Sequence, residues 1–379
     1  MSTKNLLVEL FVEELPPKAL KKLGEAFAAT LYETLKAQGL AATDSAVTPY
    51  ASPRRLAVRV SKVAAQAADK PVSHKLMPVS VALTADGQAT PALQKKLAAL
   101  GLDASVLPQL KRAPDGKAEA LFFDTVVPGA TLAAGLQKAL DEALAKLPIP
   151  KVMTYQLADG WSSVNFVRPA HALVALHGDE VVPVSALGLT AGRDTRGHRF
   201  EAACHPVSIR NADSYAAQMA EEGAVIAGFA DRRADIERQL AAAAAKVGGG
   251  ELGKYQPIED DALLDEVTAL VERPNVLLCR FEPEFLEVPQ ECLILTMKAN
   301  QKYFPLLDAS GRLTNQFLIV SNISPADPSA VIGGNERVVR PRLADAKFFF
   351  DQDRKKTLAS RVPGLSKVVY HRSEERRVG

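Results

Sequence analysis

Two short apolar runs, residues 303–307 and 317–320, flank the turn-forming tetrad Asp308-Ala309-Ser310-Gly311. A hairpin at this point argues against a doubly wound parallel sheet. Residues 171–184 carry a second hairpin pattern, with Gly178-Asp179 at its tip. Helical spacing lies between and around them. Leu20, Leu23, Phe27, Leu31 and Leu35 recur on one face of a segment opened by Pro16-Pro17 and stopped by Gly39. Further helices are expected at residues 91–100, 131–147, 211–223, 229–247, 261–272 and 289–300, and strands at 6–12, 56–60, 120–127 and 276–281. The expected class is α+β: a multi-domain chain of mixed sheets with hairpins and flanking helices.

The hairpin at 303–320 leads into a Pro/Asp loop and then Gly333-Gly334-Asn335, which reads as the opening of a helix with Asn335 as its cap. Pro341 would kink that helix or restart it. Arg337, Arg340 and Arg342 crowd its first turns. Planar guanidinium groups fork onto phosphate oxygens, although a charge run more often faces water and pairs with nearby acids such as Glu336 and Asp345. In Phe348-Phe349-Phe350 at least one ring should be buried.

Similar cationic clusters occur elsewhere. Arg54 and Arg55 precede an alternating strand, Arg193, Arg196, His198 and Arg199 share a polar loop, and Lys298, Gln301 and Lys302 lie beside Tyr303. Charge with forked donors suits phosphates, and Tyr303 and Asn300 suit splayed bases. With a net charge of only +2, any nucleic-acid surface must come from such clustering.

Catalytic patterns are missing. The sequence has no G-x-x-x-x-G-K-[ST], H-E-x-x-H or G-x-S-x-G, and no adjacent His-Asp doublet of the kind metal-dependent HD phosphohydrolases use. Gly248, Gly250 and Gly253 spell G-x-G-x-x-G, but an alanine-rich helix precedes them where a dinucleotide site needs a strand. They read as a helix terminator. His171, in an apolar run, reads as a satisfied core histidine, and Glu13-Glu14 as a favourable approach to a helix dipole. Cys204, Cys279 and Cys292 are too far apart for a metal knuckle or a disulfide framework, which fits a reducing cytoplasm. No apolar run approaches the roughly 18 residues that span a bilayer, and the interrupted N-terminal run is no signal peptide.

The strings TMKANQKYFPLLD, SNISPADPSAVIGGNERVVRPRLADAKFFFDQDRKK, TRGHRF and TPYASPRRLAV, with Glu-Glu-Leu-Pro-Pro near the start, resemble the beta subunit of bacterial heterotetrameric glycyl-tRNA synthetase. The resemblance covers residues 6–369. It implies a holoenzyme of alpha2beta2 form that joins glycine to its tRNA. The alpha subunit would carry the catalytic core, with ATP and magnesium bound there and no cofactor in this chain. The beta chain would contact tRNA and be inactive alone. Arg54, Arg55, Arg196, His198, Arg199, Lys298, Gln301, Lys302, Tyr303, Arg337, Arg340 and Arg342 then become candidates for tRNA or the subunit interface, with no catalytic and no metal residue. The implied division is an N-terminal α+β region at 1–150, edged by a Pro-rich joint at 147–151, and a second α+β region at 151–325. The start of a helical HD-like domain follows at 326–370, and then a tail at 371–379 outside the family pattern. The family's remaining helical and anticodon-binding parts do not follow, so a truncated or misjoined chain is expected. A stand-alone RNA-binding module and an HD-type phosphohydrolase are the rival readings.

Overall fold

The computed structural model describes residues 3–84, 86–115, 118–250 and 253–368. The first sheet is organised around the strand Thr3–Val12. It pairs antiparallel with Arg55–Ala64 on one side and Ala170–His177 on the other. Val47–Ser52 and Glu180–Val181 complete the two edges. Alternation sends Leu6, Val8, Leu10 and Val12 to one face, against the helices Pro17–Ala37 and Leu132–Lys146. Leu7 points the other way, into a second core with Val174, Leu176, Tyr215 and Met219. A strand buried on both faces reads as a near-continuous apolar run, and Glu9 is the one charge that interrupts it. The first helix presses close to the sheet at Gly24, where an added Cβ would stand 2.6 Å from the Ala51 Cβ.

Residues 70–127 form a satellite. The strands Lys70–Pro78, Ala118–Val127 and Lys111–Asp115 make a three-stranded sheet that packs Leu76 and Leu121 on the helix Pro91–Ala99. Sequence reading found its helix and one strand and missed the other two.

The second main sheet has the order Tyr255–Pro257, Phe304–Asp308, Leu313–Ser321, Asn275–Arg280. Helices Phe229–Val247 and Asp261–Thr268 cover one face through Ile236, Leu240, Leu264 and Val267. Helices Gln290–Gln301 and Ser329–Arg354 cover the other through Leu293, Met297, Val339 and Leu343. Every ladder between these strands is antiparallel, with one isolated parallel bridge from Val174 to Gly192, and the α+β class holds.

Three expectations change. The joint at 147–151 is not an edge, because Ala170–His177 returns to pair with the first strand. The helix expected to open at Gly333 begins at Ser329, whose N–H donates to Asp327 Oδ1 at 3.0 Å. It runs unbroken through both glycines and Pro341 to Arg354. Val339 and Leu343 pin it to the second sheet, and that packing outweighs local propensity. Through those two residues the helix is seated on the second core. Phe350 packs inward while Phe348 and Phe349 stay exposed. Gly248 ends the helix Phe229–Val247, as a terminator should. No described helix is long and apolar enough to cross a membrane. The tail at 371–379 lies outside the described residues.

Candidate nucleic-acid interface

Arg54 and Arg55 face inward. Arg55 is fully buried: its Nε donates to Ser52 Oγ at 2.9 Å, its Nη2 to the Arg196 carbonyl at 2.8 Å, and its Nη1 lies 3.4 Å from Glu9 Oε2. Glu9 also accepts from Thr195 and Tyr215. Arg54 forks onto Glu272, Nε to Oε1 at 3.1 Å and Nη2 to Oε2 at 2.7 Å, and donates to the Gly197 carbonyl at 2.9 Å. Burial drives the Glu272 carboxyl upward, but the charge of Arg55 and the hydrogen bond and charge of Arg54 outweigh it and hold it below the ordinary glutamate value. Both arginines, expected as phosphate contacts, thus clamp the backbone of residues 196–197 onto the strand. Arg55 has no surface from which to meet a phosphate. Arg193 donates to the Asp179 carbonyl at 2.8 Å. His198 is buried too, its Nδ1 accepting from the Phe200 and Glu201 N–H groups at 3.2 Å each.

The same clamp projects Arg196 and Arg199 outward. They line a cleft of about 590 Å³ with Glu13, His171, His205 and the edge of Arg54. Arg199 Nη2 donates to Glu13 Oε2 at 2.9 Å and lies 3.2 Å from Glu14 Oε1. Glu13 Oε1 is 2.9 Å from His171 Nε2. Burial works to raise the Glu13 carboxyl, but the bond and charge of His171 and the charge of Arg199 hold it below its ordinary value. His171 is therefore an exposed cleft residue, not a core histidine. It sits at the mouth of its strand, beside the register shift at Phe11 and Val12, one step outside the apolar run. Glu13 and Glu14 bind a distant arginine instead of serving the helix start.

The third cluster is held internally. Lys298 pairs with Asp260, and Lys302 with Glu266 at 3.1 Å. Tyr303 is buried, stacked 4.8 Å from Phe317, and its hydroxyl donates to Asn335 Oδ1 at 2.7 Å. Burial, then the Cys279 thiol, push its pKa up to about 12. Asn335, expected as a cap, instead donates to the Val331 carbonyl at 2.8 Å within the helix. Gln301 is half-buried and lines a 270 Å³ cavity beside Lys302, Tyr303 and Asn335.

On the last long helix, Arg340 Nε lies 2.5 Å from Glu282 Oε1. Arg337 and Arg342 are exposed. Among the described residues neither they nor Arg196 has a side-chain hydrogen bond or ion pair. Helical spacing sets Arg337 and Phe348 on the face away from Val339 and Leu343, while Arg342 and Phe349 flank that buried seam on one side. Among the described residues no group of three or more His, Cys, Asp or Glu could hold a metal ion.

Sequence reasoning missed the acidic partners Glu9, Glu13, Glu272, Asp260 and Glu266. Glu9 gave a signal as a lone charge in an apolar strand, and Glu13 stood out in the Glu-Glu-Leu-Pro-Pro run but was given a different role.

A family model described as the glycyl-tRNA synthetase beta subunit matches residues 6–373, past the point where the family pattern was expected to stop. The chain is 78% identical over 371 residues to the glycine–tRNA ligase beta subunit of Leptothrix cholodnii, a match covering 98% of this chain and 51% of that one. It is 74% identical over 377 residues to the protein of that name in Paracidovorax citrulli, covering 98% and 53%. In Dechloromonas aromatica the figures are 72% over 375 residues, 98% and 53%. The chain thus spans about half the length of the curated relatives it matches.

Proposed function

Because this chain belongs to the glycyl-tRNA synthetase beta-subunit family, we propose that it forms the tRNA-contacting part of a glycine–tRNA ligase beta subunit. An alpha subunit, in an alpha2beta2 assembly, would activate glycine with ATP and magnesium. The observation that carries this reading is the division of the cationic residues. Arg54, Arg55, Lys298 and Lys302 neutralise internal acids, while Arg196, Arg337 and Arg342 present unpaired guanidinium groups to the outside. Exposed arginines with no protein partner keep their forked donors available for phosphate oxygens. Relatives named as beta subunits of a ligase lend no support to a free-standing RNA-binding module.

The test is a pull-down of the chain with a family alpha subunit and glycine tRNA, followed by ATP–pyrophosphate exchange on the chain alone. Capture of both partners and no exchange is expected. Exchange catalysed by this chain would overturn the division of labour. Failure to bind tRNA, with the alpha subunit still captured, would assign the exposed arginines to the subunit interface.

A further inference from the structure

The cleft at Glu13 carries a more specific assignment, which rests on the tRNA-contacting reading above. Its volume of about 590 Å³ is ample for one nucleotide unit. Arg196 reaches it with all its side-chain donors free among the described residues, and Arg199 and His205 stand on the same wall. Arg54, held at the edge by Glu272, keeps its guanidinium fixed beneath them.

A purely anionic ligand suits these arginines but not Glu13 on the same cleft. Glu13 is a carboxylate, an acceptor only, held ionised by His171 and Arg199. His171 and Arg199 take one lone pair on each oxygen, and Glu14, itself 3.2 Å from Arg199, stands beside the same group. A carboxylate with about four acceptor sites keeps room for a further donor. A bare phosphate oxygen brings no proton and would be repelled there. A ligand that places a phosphate on the arginines and a hydroxyl donor on Glu13 satisfies both. A ribonucleotide unit carries that pair of groups a few ångströms apart, and its deoxy counterpart lacks the 2′-hydroxyl. We propose that this cleft seats one phosphate–ribose unit of RNA, Arg196 and Arg199 on the phosphate and Glu13 accepting from the 2′-hydroxyl. It thereby distinguishes RNA from DNA.

The test is fluorescence anisotropy on the full 379-residue chain, with RNA and DNA oligonucleotides of one sequence. The wild type should favour RNA by about tenfold, the size of one charge-assisted hydrogen bond. Glu13→Ala should bring the ratio close to one while tightening DNA binding, since a negative charge is gone. Glu13→Gln, which keeps an acceptor oxygen and the side-chain shape, should retain part of the preference. Arg196→Ala should weaken RNA and DNA alike and lower the salt slope by about one. A ratio unchanged in both Glu13 variants overturns the assignment. If RNA binding persists there and falls in Arg337→Ala/Arg342→Ala, the tRNA reading stands without the cleft. If no RNA binds even at low salt, the tRNA reading fails and the cleft assignment with it. Displacement of the RNA by adenosine monophosphate at concentrations near its own saturation of the cleft would transfer the site to a free ribonucleotide and overturn the RNA assignment.

Discussion

Arg54 Nη2 lies 2.7 Å from Glu272 Oε2, and 218 residues of sequence separate the two. The contact is buried on both sides. It joins the strand edge of the first sheet to the segment that leads into the second. Arg55 shares the same carboxylate at 3.6 Å. Glu272→Ala would leave two buried guanidinium groups without that acid. Breaking a buried pair from one side costs about 3–5 kcal/mol, so the variant should lose stability of that order in urea denaturation. Arg54→Lys should recover little, because an ammonium cannot fork onto both oxygens.

The same acid sets a pH dependence. Its folded carboxyl sits below the unfolded value near 4.5. The stability it contributes is therefore complete above about pH 4.5 and is lost as pH falls through the lower folded value. Urea midpoints for the wild type should drop below about pH 4.5. In Glu272→Gln, starting from lower stability, that acid-side slope should be shallower.

The elements were far more legible than the site. Periodicity located the helix Phe229–Val247 to the residue, and the turn residues located both hairpins. The third-cluster residues Lys298 and Lys302 show why the site resisted. They lie on one short segment, but the acids that quench them belong to the Asp260–Glu266 stretch, which only the tertiary fold brings near. Local sequence can mark an arginine or lysine as a donor but cannot say whether a distant carboxylate has taken it. The misplaced helix start has a similar origin. Gly333 and Gly334 carry no Cβ conflict, and the helix continues because Val339 and Leu343 are anchored further along.

Thiol chemistry offers an independent check of the second core. Cys279 is buried, and burial followed by the Glu336 carboxylate pushes its thiol up to about 12. Cys204 and Cys292 are exposed. At about pH 8 a disulfide reagent should react quickly with two of the three thiols and reach Cys279 only on unfolding. Rapid reaction of all three in native protein would show that the packing of Phe317 and Val339 around Cys279 is wrong.

Arg340 should behave unlike its neighbours. Glu282 already holds it, and an exposed pair of this kind is worth about 0–1 kcal/mol. Arg340→Ala should therefore change tRNA affinity less than either Arg337→Ala or Arg342→Ala, with stability nearly constant. Filter binding of the three single variants at one salt concentration decides the order.

The most direct measurement is the salt dependence of glycine tRNA binding by the wild type and by Arg337→Ala/Arg342→Ala, with folding verified by circular dichroism. Each lost phosphate contact removes about one released counterion. The double variant should bind more weakly, with the slope of log affinity against log salt reduced by about two. A folded double variant with unchanged affinity and unchanged slope would contradict the account.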